Sequence, residues 1–310
     1  MNKILLPPPR IKKVVSFSGG QTSGKMLHEL MDQNPKTFDK QFLVIFENTG
    51  REHKKTLEFI RNVSKFWGIE IILLEYIRKP AIEIQDDWVR KTSRKNLTKA
   101  KSEGRSIHWH QRVEFDSLAQ IGEYGPFDRL IEFMGVLPNV VARACSWALK
   151  TQVLFTYLWR NHIYDYDDYI GIRIDEDHRA LEIMCKSPSY RRVHFPLCEL
   201  KIDKKQVDDF WDKQPFKLEI PNYLGNCDGC FLKKRWKLIQ VARQNPKEFS
   251  WWTDWEDKLK NKGQGGQWKV GKSYHGIMNE SQHPDMFEDL QNDYDVPCSC
   301  AVVDSSDIEL

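Results

Sequence analysis

No run of about 18 to 20 consecutive apolar residues, the length a membrane-spanning helix needs, occurs anywhere in the sequence. Met1 to Pro7 is too short, and too soon stopped by proline, for a secretory signal, so the chain is expected in the cytoplasm with no membrane contact. Charge of one sign is scarce as well: 47 Lys and Arg stand against 44 Asp and Glu, and the net charge is only +3. Any nucleic-acid contact must therefore come from a local patch. Neither Gly-x-x-x-x-Gly-Lys-Ser/Thr nor Gly-x-Gly-x-x-Gly is present, which removes the two commonest glycine-rich phosphate signatures. Internal repeats and low-complexity tracts are also missing. The seven cysteines are an odd number, with close pairs at Cys227/Cys230 and Cys298/Cys300, which argues for ligand or redox arrangements in a reducing compartment rather than a disulfide scaffold.

What is there reads as a globular α/β chain. With 310 residues, 40% of them hydrophobic and 29% charged, there is material for one large domain or a domain with an appendage. Lys12 to Phe17 is a β-branched run broken by Gly19 and Gly20, and Ser23 to Asp32 follows with helical spacing. The unit repeats as a strand at Phe42 to Phe46, an amphipathic helix at Glu52 to Trp67 and a strand at Ile69 to Leu74. A further helix is expected from near Cys145 through Trp159, and a strand at Tyr169 to Ile172. Such alternation predicts a doubly wound parallel sheet. The expected division is an α/β domain over residues 1–215 and a cysteine-containing elaboration over 216–310. Residues 90–112 are polar and basic and read as a mobile insertion, a candidate nucleic-acid contact. Within it, His108 and His110 read as a solvated pair.

Ser18-Gly19-Gly20-Gln21-Thr22-Ser23 carries the most specific chemistry. An isolated Gly-Gly after a strand is equally a plain turn. Between a strand and an amphipathic helix, however, it sets several backbone N–H groups and the positive helix end at one spot, where a phosphate approaches the glycines. The hydroxyls of Ser18, Thr22 and Ser23 add donors.

The chain resembles the PP-loop proteins of the phosphoadenosine phosphosulfate reductase type, the adenine nucleotide α-hydrolase-like class. The likeness rests on Val15 to Gly20, on Phe46-Glu47-Asn48-Thr49-Gly50 with Thr56, on Arg143-Ala144-Cys145 with Lys150, on Gly171-Ile172-Arg173 with Glu176 and Arg179, and on Cys227-Asp228-Gly229-Cys230, all in the family's order. The resemblance implies that Asn48 and Thr49 lie beside an adenosine and that Arg143, Lys150, Arg173 and Arg179 converge on phosphate or sulfate, with Glu176 orienting Arg173. ATP or a related adenine nucleotide is the implied ligand, with magnesium a candidate companion of its phosphates. Thr22 stands where ATP pyrophosphatases of the class carry Asp, and the C-terminal Glu-Cys-Gly of sulfonucleotide reductases is missing.

Cys227-x-x-Cys230, Cys145 and one of Cys298 or Cys300 would supply four thiolates, which suit zinc or a [4Fe-4S] cluster equally. A redox dithiol is the alternative, and Cys185 and Cys198 read as structural. Trp251, Trp252 and Trp255 fit either base stacking or the core of the elaboration. Three functions remain: an ATP-dependent adenylylating or sulfur-transfer enzyme acting on a nucleic-acid or small-molecule acceptor, a thiol-dependent sulfonucleotide reductase, and a non-catalytic nucleotide- or nucleic-acid-binding module.

Overall fold

A computed structural model describes residues 12–80, 106–140, 143–163, 165–221, 223–225, 227–263, 266–269, 271 and 273–283. One six-stranded sheet organises them, in the order β4-β3-β2-β1-β5-β6. The strands are β1 (Lys12–Ser16), β2 (Phe42–Asn48), β3 (Ile71–Pro80), β4 (Ser106–Val113), β5 (Tyr166–Ile170) and β6 (Arg191–His194). From β3 to β6 the pairs are parallel, while β4 returns antiparallel along β3, with Leu73 opposite Val113. The sheet is thus the expected doubly wound parallel one from β3 to β6, made mixed by the antiparallel edge strand β4. Residues 106–112, read above as part of an insertion, belong to its edge strand; 90–105 lie outside the described residues. Pairing with β3 decides that structure, because an edge strand tolerates the polar, basic composition that hides it in the sequence.

Strand order reverses between β1 and β5, which opens a crevice at their carboxyl ends where ligands of such sheets bind. Both faces are covered. Helices α1 (Gln21–Gln33) and α2 (Lys54–Trp67) bury Met26, Leu27, Phe59 and Ile60 against Val15, Val44 and Phe46, together with Val207 and Trp211 from a later helix. On the other face, Val14, Ile45 and Ile72 meet Phe127 and Leu130 of α3 (Pro126–Met134), and Leu149 and Val153 of the helical run Ala144–Arg160. That same apolar cluster continues into Leu238, Trp252, Trp268 and Tyr274, so segments beyond residue 215 pack directly on the sheet's core. Trp252 and Trp255 are buried. Asp128 anchors this layer, accepting from the indole nitrogens of Trp251 at 2.8 Å and Trp255 at 3.0 Å. These tryptophans fill core and are not laid out for stacking on bases. No helix among the described residues is long and apolar enough to cross a membrane.

Candidate functional site

β1 ends at Ser16 and the chain turns through Ser18 and Gly19 into α1. Gly19 has φ +73°, and a Cβ there would stand 2.8 Å from Ile60 Cδ1, so both conformation and space require glycine. Ser18 and Ser23 pair their hydroxyls at 3.0 Å, and Ser23 donates to the Gly20 carbonyl at 3.0 Å. Gly20 caps α1 without any side-chain hydrogen bond, which leaves the helix's first N–H groups and its positive end facing the crevice. A Cβ at Gly20 would meet nothing closer than Ser18 Oγ at 3.6 Å. Open space lies above this loop.

The strand across the switch point supplies the basic wall. Gly171, just past β5, sits so close that a Cβ would be 2.7 Å from Ser23 Cα. Two residues on, Arg173 donates to Thr22 Oγ1 at 3.1 Å and to Asp175 at 3.0 Å. The buried Glu176 bridges Arg173 and Arg179, with Arg173 at 3.2 Å. Arg143 precedes the short helix Ala144–Ser146. Glu182 is held below the usual carboxylate range chiefly by Lys186, with Arg143 and Arg179 contributing, so these two cations share one region. Arg173, Glu176, Arg179 and the loop therefore form one connected group.

A second group lies around Thr49, beyond β2. Asn48, expected beside the adenosine, is fully buried: its amide donates to Glu75 at 2.7 Å and to the Ala119 carbonyl at 2.9 Å, and accepts from Gly50 N–H at 3.2 Å. An amide spent on three internal partners shapes the turn. Thr49 donates through its hydroxyl and amide to Glu52 at 2.8 and 3.0 Å, and its hydroxyl lies 3.8 Å from Cys227 Sγ. Burial pushes Glu52 up, against the pull of Lys150 and of these hydrogen bonds.

Thr49, Cys145, Lys150, Cys227 and Cys230 line one cavity of about 30 Å³. At roughly 10 to 15 Å³ per water it has room for a couple of waters. Phe127, Phe231 and Trp252 form its apolar wall. Three thiols are soft donors that suit a thiophilic ion. Even so, no three His, Cys, Asp or Glu side chains among the described residues come together as a metal-holding group, and the four-thiolate site is not formed by them. Cys298 and Cys300 lie outside the described residues. Cys198 donates to the carbonyls of Ile172 and Arg173 at 3.2 and 3.3 Å, and Cys185 is exposed.

What brings the cysteine turn here is a clasp. Arg51 and Asp228, both buried, form an ion pair; Arg51 Nε donates to Asp228 Oδ1 at 3.2 Å, and its guanidinium lies 4.3 Å over the Trp251 ring. Trp252 Nε1 donates to the same carboxylate at 3.1 Å, Asp228 N–H donates to the Arg51 carbonyl at 3.2 Å, and Glu52 bridges to Cys227.

Residues 12–114 match the family described as the phosphoadenosine phosphosulfate reductase domain. Over 228 residues the chain is 32% identical to the uncharacterized nin region protein ORF290 of Escherichia phage lambda, across 73% of this chain and 67% of that protein. The chain belongs to the phosphoadenosine phosphosulfate reductase family. No solved structure matches it. In this phosphoadenosine phosphosulfate reductase family member the matched stretch runs from β1 through β4 and holds the loop, Asn48 and Thr49; Arg143, Arg173 and the cysteine turn lie beyond it. Sequence reasoning missed Arg51 and Asp228. The signal was present in Arg51 directly after Asn48-Thr49-Gly50 and in an acid inside Cys-x-x-Cys, but only the fold pairs them.

Proposed function

We propose that the protein is an ATP-using enzyme of this family that transfers an adenylyl group to an acceptor and releases pyrophosphate, with the thiol cavity serving sulfur transfer. One observation carries the reading: an uncapped helix N-terminus and glycine loop at the sheet's switch point, with Arg173 bonded to the loop's own Thr22. The loop N–H groups hold the phosphates, and magnesium enters with the triphosphate. As the acceptor's nucleophile bonds to the α-phosphorus, the bond to pyrophosphate breaks and charge grows on the leaving oxygens. Arg173, kept in place by Asp175 and Glu176, stabilises that charge together with Arg179 and Arg143. Lys150 faces the cavity side.

Three thiols lining one cavity favour a second reading, reduction of an adenylyl sulfate, in which a cysteine sulfur attacks the sulfate sulfur, the nucleotide leaves, and a second thiol releases sulfite as a disulfide forms. One assay separates the two. Purified protein is given ATP with tRNA, DNA or small-molecule acceptors, and separately adenylyl sulfates; pyrophosphate and AMP support the first reading, sulfite the second. Absence of any nucleotide binding overturns both.

A further inference from the structure

Four acidic side chains around the crevice are already engaged. Asp168 accepts from Ser16 Oγ at 2.7 Å and from Arg191 at 2.8 Å. Glu52 is taken by Thr49, Glu75 by Asn48, Ala119 and Gln111, and Glu176 by its two arginines. Glu47 differs. Among the described residues no side chain donates a hydrogen bond to it, and it is partly buried rather than sealed.

Its place follows from register. Ser16 pairs with Ile45, and Phe17 N–H donates to the Ile45 carbonyl at 2.9 Å; two residues further, Glu47 comes level with Ser18, the first residue of the phosphate loop. Ile45 belongs to the core layer on the face covered by the helical run that carries Lys150, and the two-residue period of a strand puts Glu47 on that same face. The charged and titratable groups acting on it are Lys150 from that run, Asp168 and Tyr166 from β5 and Arg191 from β6. Burial and Asp168 favour the protonated acid; Lys150 and Arg191 favour the carboxylate. The balance pushes Glu47 up to about 8, within reach of a working proton acceptor at physiological pH.

We infer that Glu47 is the general base of the adenylyl transfer, the group that takes the proton from the acceptor's nucleophile at the loop. This rests on the adenylylation reading above. As the nucleophile's oxygen, nitrogen or sulfur bonds to the α-phosphorus, its proton passes to a Glu47 carboxylate oxygen, and the electron pair of the breaking phosphorus–oxygen bond leaves with pyrophosphate. Lys150 offsets the negative charge that Glu47 carries before the transfer.

The test uses the full chain with ATP and water as the acceptor, following AMP and pyrophosphate between pH 6 and 9, with ATP affinity measured in parallel. The wild-type rate should rise with pH and level off above about 8. Glu47→Gln should keep ATP affinity within about threefold while its rate falls about 100-fold or more and loses the pH dependence, the loss typical of a removed general base. Glu47→Asp should keep a rising pH profile at a reduced rate. Wild-type rate and profile in folded Glu47→Gln overturn the inference and leave the adenylylation reading standing, as does a wild-type profile with no rise toward pH 8. Wild-type protein that binds ATP yet releases no pyrophosphate overturns both.

Discussion

The phosphate loop follows β1 and the cysteine cavity takes Thr49 from just after β2, both at carboxyl ends of the same sheet, but they are built in opposite ways. The loop is local: six consecutive residues, a backbone turn and a helix start, braced by one contact from Gly171 and one from Arg173. The cavity is assembled from five distant pieces: Thr49, Phe127, Cys145 to Lys150, the Cys227 turn and Trp252. The Cys227 turn is clasped by the buried Arg51–Asp228 ion pair, which shares no residue with the loop. A site made of backbone survives loss of distant contacts, whereas one made of long-range contacts is as stable as its weakest clasp.

The sharpest way to break this contrast is Arg51→Ala, which strands the Asp228 charge among indole rings. Denaturant unfolding should show a loss of about 3 to 5 kcal/mol, the usual cost of removing one partner of a buried pair. If the comparison holds, the fraction still folded keeps its ATP affinity while Cys227 and Cys230 react faster with a thiol reagent; unchanged reactivity would mean that the clasp does not position the turn. Gly171→Ala comes next. Its new methyl meets Ser23 backbone, so a loss of about 1 to 3 kcal/mol, typical of overpacking, should come with weakened nucleotide binding in calorimetry.

Gly20→Val should change stability by no more than about 0.5 kcal/mol, as a surface substitution does, because its side chain enters open space. Nucleotide binding should nevertheless vanish in the same calorimetric titration, and retained binding would remove the phosphates from the loop. The remaining expected effect is a slope in pH. Glu47 has a folded pKa raised from 4.5 to about 8, so it stabilises the fold fully below the lower value, and that contribution is lost as pH rises through the upper one. In paired melts the wild type should therefore lose stability relative to Glu47→Gln as pH rises from 5 to 8, the gap widening with pH. Parallel curves would deny the raised pKa.

Elements whose own periodicity decides them were legible from sequence: β1, β2, α1, α2 and the helix after Cys145 stand close to where their apolar spacing put them. Their burial is set by residues a few positions apart. β4 was not legible, because Arg112 and its polar neighbours look like a loop until β3 offers them a ladder. The partners of Asn48 were not legible for a related reason: its position at a strand's carboxyl end is local, but the groups that engage its amide come from Glu75 and Ala119. Arg51 and Asp228 are 177 residues apart, and nothing in either neighbourhood announces the other.

Trp147 to Thr151 form a π-helical turn between Cys145 and the regular helix Gln152–Arg160. In a regular α-helix each residue advances about 100°, so positions five apart face about 140° away from each other. Cys145 and Lys150 are five apart, yet both line the cavity. A wider turn uses hydrogen bonds that span five residues and brings such a pair back into phase. The thiol and the ammonium share the chamber, then, by virtue of a single added residue of helical pitch; the same five residues wound as regular α-helix would leave the cysteine in place and turn the lysine's charge away from the chamber it faces.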